Sequence, residues 1–136
     1  MRRLTALAAL LLLTGCGGTT AVGDTRSSAS CVAPQLTVTP MTVMAGDPLR
    51  VRGEYFFDTC HDTVASGMTP TPPQPRADLT VLLRQGDRSW TLAEGVDARG
   101  SSWSFDRTTT VPTDVAAGAA VVLVAGYGYR VPLTMR

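Results

Sequence analysis

Residues 78–96 read DLTVLLRQGDRSWTLAEGV. Leu79, Val81 and Leu83 alternate with Thr80, Leu82 and Arg84, the period of a strand with one buried face. Gly86-Asp87 is a tight-turn signal, because glycine takes positive φ without a side-chain clash. Ser89 to Val96 returns as the partner strand, carrying Trp90 and Leu92. An antiparallel hairpin is the expected product.

The same period recurs on both sides. Upstream, Gln35 to Thr39 places Leu36 and Val38 on one face, and Pro40 ends the run. Ala45-Gly46-Asp47-Pro48 is a turn, after which Leu49, Val51, Gly53 and Tyr55 alternate with Arg50, Arg52 and Glu54. Downstream, Asp97 to Ser101 is a turn built on Gly100. Trp103 and Phe105 then share the apolar face of a strand that ends at Val111-Pro112. Both rings are expected in the core, since each contributes several times what a methyl does. Asp114 to Gly118 is a connection. Ala119 to Ala125 is apolar on both faces and reads as a central strand. Gly126-Tyr127-Gly128 turns the chain into a last strand, Tyr129 to Met135. No helical period is present. The pattern predicts an all-β sandwich of about seven or eight strands over residues 32–136.

The N-terminus is of another kind. Arg2 and Arg3 precede an apolar run from Leu4 to Leu13, followed by Leu13-Thr14-Gly15-Cys16. A charged start, a short apolar core and small residues at the cut are the parts of a secretory signal peptide. The run is about ten residues, roughly 15 Å as a helix, against a bilayer core of about 30 Å. It is too short for a permanent span. The tetrad resembles the lipobox of bacterial lipoproteins. That resemblance implies cleavage before Cys16 and acylation of its thiol, and therefore a place on the extracytoplasmic side of the cell membrane. Residues 1–15 are then the signal peptide. Residues 16–31 are the acylated cysteine and a Gly/Thr/Ser/Ala tether whose fourteen residues from Gly17 to Ser30 span about 20 Å on average.

All twelve basic residues are Arg, and removal of Arg2 and Arg3 leaves ten against eleven acids, a net charge of −1. Such a balance gives no electrostatic basis for nucleic-acid or anionic-lipid binding. Arg50 and Arg52 alternate on one strand, and two charges make no patch.

The chain has three cysteines, Cys16, Cys31 and Cys60. With Cys16 acylated, an even pair is left in a compartment that permits disulfides, and Cys31–Cys60 is the expected bridge. The loop it closes is about 30 residues, worth roughly 3.5 kcal/mol in the chain-entropy account. Metal readings compete for the same region. Zinc would take Cys31, Cys60, His61 and one Asp, but structural zinc sites space paired ligands by about two to four residues. Calcium would take Asp58 and Asp62 with loop carbonyls, although Asp in such a loop also serves simply to make turns. Met41, Met44, Met68 and His61 are soft copper donors in no recognisable spacing, and Met in strands ordinarily packs. No metal or other cofactor is assigned.

Phe56 to Ala77 breaks the alternation. It holds Cys60-His61-Asp62 and the run Pro70-Thr71-Pro72-Pro73-Gln74-Pro75, which cannot supply ladder hydrogen bonds. A connection of about twenty residues is long for a compact domain, and long loops are often functional. Asp58, His61 and Asp62 here, with Tyr127 at the opposite turn, are the candidate binding residues. The competing readings are a tolerated surface insertion for the loop and a cover over a hairpin end for Tyr127.

From Gly46 to Phe56 the chain reads GDPLRVRGEYF, then Cys60-His61-Asp62, then VPTDVAAG from Val111 to Gly118. This order resembles bacterial Ig-like domains of the IPT/TIG kind. It is similar, more narrowly, to small actinobacterial lipoproteins that carry one such domain. The resemblance covers residues 35–136 and implies an Ig-like sandwich with no catalytic residues. Neither Trp lies between Cys31 and Cys60, so the Cys…Trp…Cys spacing of antibody domains is missing. No Gly-x-Ser-x-Gly elbow is present, and the single histidine is His61. The expected function is a monomeric, non-catalytic binding module of the envelope. Its expected partners are the membrane, through Cys16, and an envelope protein or glycan. The alternatives are a structural spacer without a ligand and a calcium- or copper-binding lipoprotein.

Overall fold

The computed structural model describes residues 32–58, 67 and 72–136. Cys16, Cys31, Cys60, His61 and Asp62, and with them the acylation, disulfide and metal-ligand readings, lie outside the described residues. Eight strands form two sheets: β1 (Gln35–Thr39), β2 (Thr42–Val43), β3 (Pro48–Glu54), β4 (Leu79–Gln85), β5 (Arg88–Val96), β6 (Phe105–Thr110), β7 (Gly118–Val124) and β8 (Arg130–Met135). One sheet has the order β1-β3-β6 and the other β2-β8-β7-β4-β5. The protein is an all-β sandwich. Among the described residues no helix is long and apolar enough to cross a membrane.

The alternation read from the sequence sets the layers. Leu49 and Val51 of β3 point inward, as do Val81 and Leu83 of β4 and Val122 and Val124 of β7, and each is at most 1% exposed. β7 lies between β4 and β8, the central place its two apolar faces require. The two-residue strand β2 has no counterpart in the sequence reading. After β1 the chain crosses at Pro40 to the other sheet, where β2 pairs parallel with the end of β8. A pair of residues is too short for alternation to register.

The far edges of the two sheets meet at β5 and β6. Leu82 pairs with Thr91 and Val81 with Ala93, so Leu92 is the extra residue of a bulge on β5. The Thr109 hydroxyl of β6 donates to the Leu92 carbonyl at 2.7 Å, tying one sheet to the other.

Two expectations are corrected. Trp103 is not in a strand with Phe105: β6 begins at Phe105, and Trp103 sits in the preceding turn with φ +43°. Phe105 is core at 4% exposure, whereas Trp103 is half-buried at the rim, its ring 5.2 Å edge-on from Phe57. Tyr55 does not extend the apolar face of β3 either. Its φ of +63° breaks the two-residue period, so Phe56 turns inward and is fully buried. The reversed backbone is held from outside, because the Tyr55 N–H donates to the Ser102 carbonyl (2.8 Å) and the Phe56 N–H to that of Trp103 (3.0 Å).

Candidate binding cleft at one end of the sandwich

The register places β1, β4, β6 and β8 with their starts at one end of the sandwich, where β3, β5 and β7 finish. The chain therefore leaves β3, β5 and β7 at this end and enters β4, β6 and β8 there. Among the described residues, this end also holds the three other than glycine with positive φ, Tyr55, Asp78 and Trp103. Sparsely populated backbone of this sort persists only where surrounding contacts hold it, and it clusters at functional sites.

The described part of the long connection is bound back onto the domain. Phe57 and Pro75 form an antiparallel bridge, with the Asp58 N–H donating to the Gln74 carbonyl (3.0 Å) and the Arg76 N–H to that of Phe56 (2.9 Å). In this pairing the bonds fall on the residues flanking position 75, so the missing N–H of Pro75 costs nothing. The Asp58 carboxylate accepts the Gln74 N–H at 2.9 Å. The Ala98 N–H in turn donates to the Arg76 carbonyl at 2.8 Å. Asp58 thus acts across sixteen residues, as a clasp on the return of the loop.

Tyr127 is half-buried. Its ring lies 4.9 Å from that of Phe56 in an edge-on arrangement, so it does cover the core at the β7–β8 turn. It also faces a cleft of about 690 Å³ that runs between this turn and the long connection. Phe57, Asp58, Pro75, Arg76 and Asp78 line the other side. Asp58 and Tyr127, chosen from separate stretches of sequence, thus border one cavity. Tyr129, two residues on, is 45% exposed.

Arg76 and Asp78 escaped the sequence reading because each stands alone among loop residues. Asp78 has φ +56°, and its N–H donates to the Asp97 carboxylate at 3.2 Å. That bond, with a second from Arg99, holds the Asp97 carboxyl below the usual carboxylate range. Phe57 and Tyr127 bring aromatic surface to the lining, and Asp58, Arg76 and Asp78 bring charged groups of both signs. Such a lining suits recognition of a partly apolar, polar-edged ligand. Among the described residues no group of three or more His, Cys, Asp and Glu side chains stands close enough to hold a metal ion.

Comparison with known proteins gives no family: no family model matches the chain, and no curated protein matches it.

Proposed function

We propose that this protein is a lipid-anchored, extracytoplasmic Ig-like domain that works as a non-catalytic binding module of the cell envelope. The observation that carries the binding role is the meeting of the two described ends of the long connection, Phe57-Asp58 and Pro75-Arg76-Ala77, with the Gly126-Tyr127 turn around one cleft of about 690 Å³. Loops gathered at one end of a rigid sandwich are the usual place for recognition. The Ig-like reading is supported by the strand order β1-β3-β6 opposite β2-β8-β7-β4-β5, and by the third and seventh strands finishing at a common end of the sandwich. The anchor rests on Leu13-Thr14-Gly15-Cys16 behind a short apolar run.

A photo-crosslinking amino acid at Arg76 in the lipidated protein in cells tests the role, with the same group at Thr108 on the outer face of β6 as the control. A discrete adduct from position 76 alone supports the binding module. No adduct, or the same adducts from both positions, favours a spacer. Cys16→Ser tests the anchor separately, since it should release the protein from the membrane fraction or block its processing.

A further inference from the structure

The two outer faces of the sandwich carry charge in opposite ways. On the three-stranded sheet Arg50 makes a two-pronged pair with Asp106, and Arg52 pairs with Glu54 at 2.7 Å. That face neutralises itself. On the five-stranded sheet the cross-strand rows are Arg84–Val121–Pro132 and Leu82–Leu123–Arg130. Leu82, Val121 and Leu123 are only half-buried, although they lie on the solvent side. Arg84 and Arg130 are exposed, and among the described residues neither is in an ion pair. Both border one groove of about 250 Å³ floored by Ala119 and Val121. The net charge of −1 after cleavage gives the chain as a whole no attraction to an anionic surface, so what distinguishes this face is local: two guanidinium groups without carboxylates, set over apolar strands, complement an anionic group carried on an apolar body.

We infer that this face lies on the anionic lipid surface in which the chain is anchored, with lipid phosphate taken up between Arg84 and Arg130. The inference rests on the lipid-anchor reading proposed above. The length of chain outside the described domain fits it. Residue 32 precedes β1, which belongs to the opposite sheet. A tether from bilayer to β1 must therefore clear about 10 Å between sheets plus the side chains on the lower face. The fourteen residues from Gly17 to Ser30 span about 20 Å. An arginine near an anionic surface is worth about fivefold in binding, so two give roughly thirtyfold. That is modest for a free protein and ample for one already held at the surface.

The test uses the lipidated full-length protein on two kinds of vesicle, phosphatidylcholine alone and phosphatidylcholine with phosphatidylglycerol. Phenylglyoxal modification of each arginine is followed by mass spectrometry. On the anionic vesicles Arg84 and Arg130 should be modified at least about fivefold more slowly than on the neutral ones. Arg50 and Arg107, on the three-stranded sheet, should be unchanged, and high salt should abolish the protection. Equal modification on both vesicles, with the protein floating with both, overturns the docking and leaves the anchor standing. A protein that floats with neither overturns anchor and docking together. Protection by inorganic phosphate on neutral vesicles, without further protection on anionic ones, identifies a free-anion groove and overturns the bilayer assignment.

Discussion

Gly53 stands directly opposite Phe105 across the β3–β6 ladder, and the phenyl ring fills the space where a side chain at 53 would be. Any Cβ there would overlap that ring and Phe56 as well. The position is glycine for volume, since its φ is not in the left-handed region. Gly53→Ala should therefore destabilise the fold by about 1–3 kcal/mol, the range for overpacking a filled core. The urea midpoint measures it. Gly53→Ala with Phe105→Leu should recover part of the loss.

Phe56 is fully buried, with Phe105 at 5.2 Å on one side and Tyr127 at 4.9 Å on the other. Phe56→Ala is expected to cost about 3–5 kcal/mol. It should also loosen the Tyr127 turn, seen as faster hydrogen exchange at the Tyr127 amide, which donates to the Val124 carbonyl at 3.1 Å.

Replacing Asp58 by Ala removes the acceptor for the Gln74 N–H. Exchange at the Gln74 amide should accelerate while amides in β4 and β7 keep their protection. The loss of global stability should be about 1 kcal/mol. Loss of protection throughout β4 and β7 would show that the clasp supports the whole domain and not merely the loop.

Asp114 accepts from Trp90 Nε1 at 2.9 Å and from Arg88 at 2.6 Å, while the Arg88 guanidinium stacks 4.6 Å over the Trp90 ring. The indole bond first, and then the arginine, hold the Asp114 carboxyl below its usual range. Asp97 and Asp106 are lowered too, by the Asp78 N–H and by Arg50 respectively. A carboxylate whose folded pKa is depressed stabilises the fold above its unfolded value, and that stability is lost as pH falls through the folded one. The melting temperature should hold from neutral pH down to about pH 4 and fall below it. Trp90 emission should shift over the same acidic window, and Asp114→Asn should remove that shift.

The Thr109 hydroxyl is the link from β6 to the bulged carbonyl of Leu92. Thr109→Val keeps shape and β propensity but leaves that carbonyl without this donor. A loss of about 1 kcal/mol is expected, with faster exchange concentrated in β5 and β6. Thr108→Val on the outer face should be nearly silent.

Period-two alternation made most of the sandwich legible. It located β1, the buried face of β3, the β4–β5 hairpin and the central β7, because a one-residue slip would turn each apolar set to solvent. It failed at Tyr55 and Trp103. There a long-range backbone bond holds a residue at positive φ and resets the period, and no neighbouring residue signals that. Asp58 and Tyr127 were readable as loop residues of the right chemistry, but their sharing of one cleft depends on strand order. Arg76 and Asp78 gained meaning only from the Phe57–Pro75 bridge and the Asp78–Asp97 bond.

β1 enters beside the cleft, whereas β8 finishes at Met135 on the opposite pole, some 20 Å away for strands of six or seven residues. A fluorescent protein or an affinity handle grafted behind Arg136 would therefore point away from the cleft and from the start of β1. Such a fusion would leave the cleft end of the sandwich unencumbered.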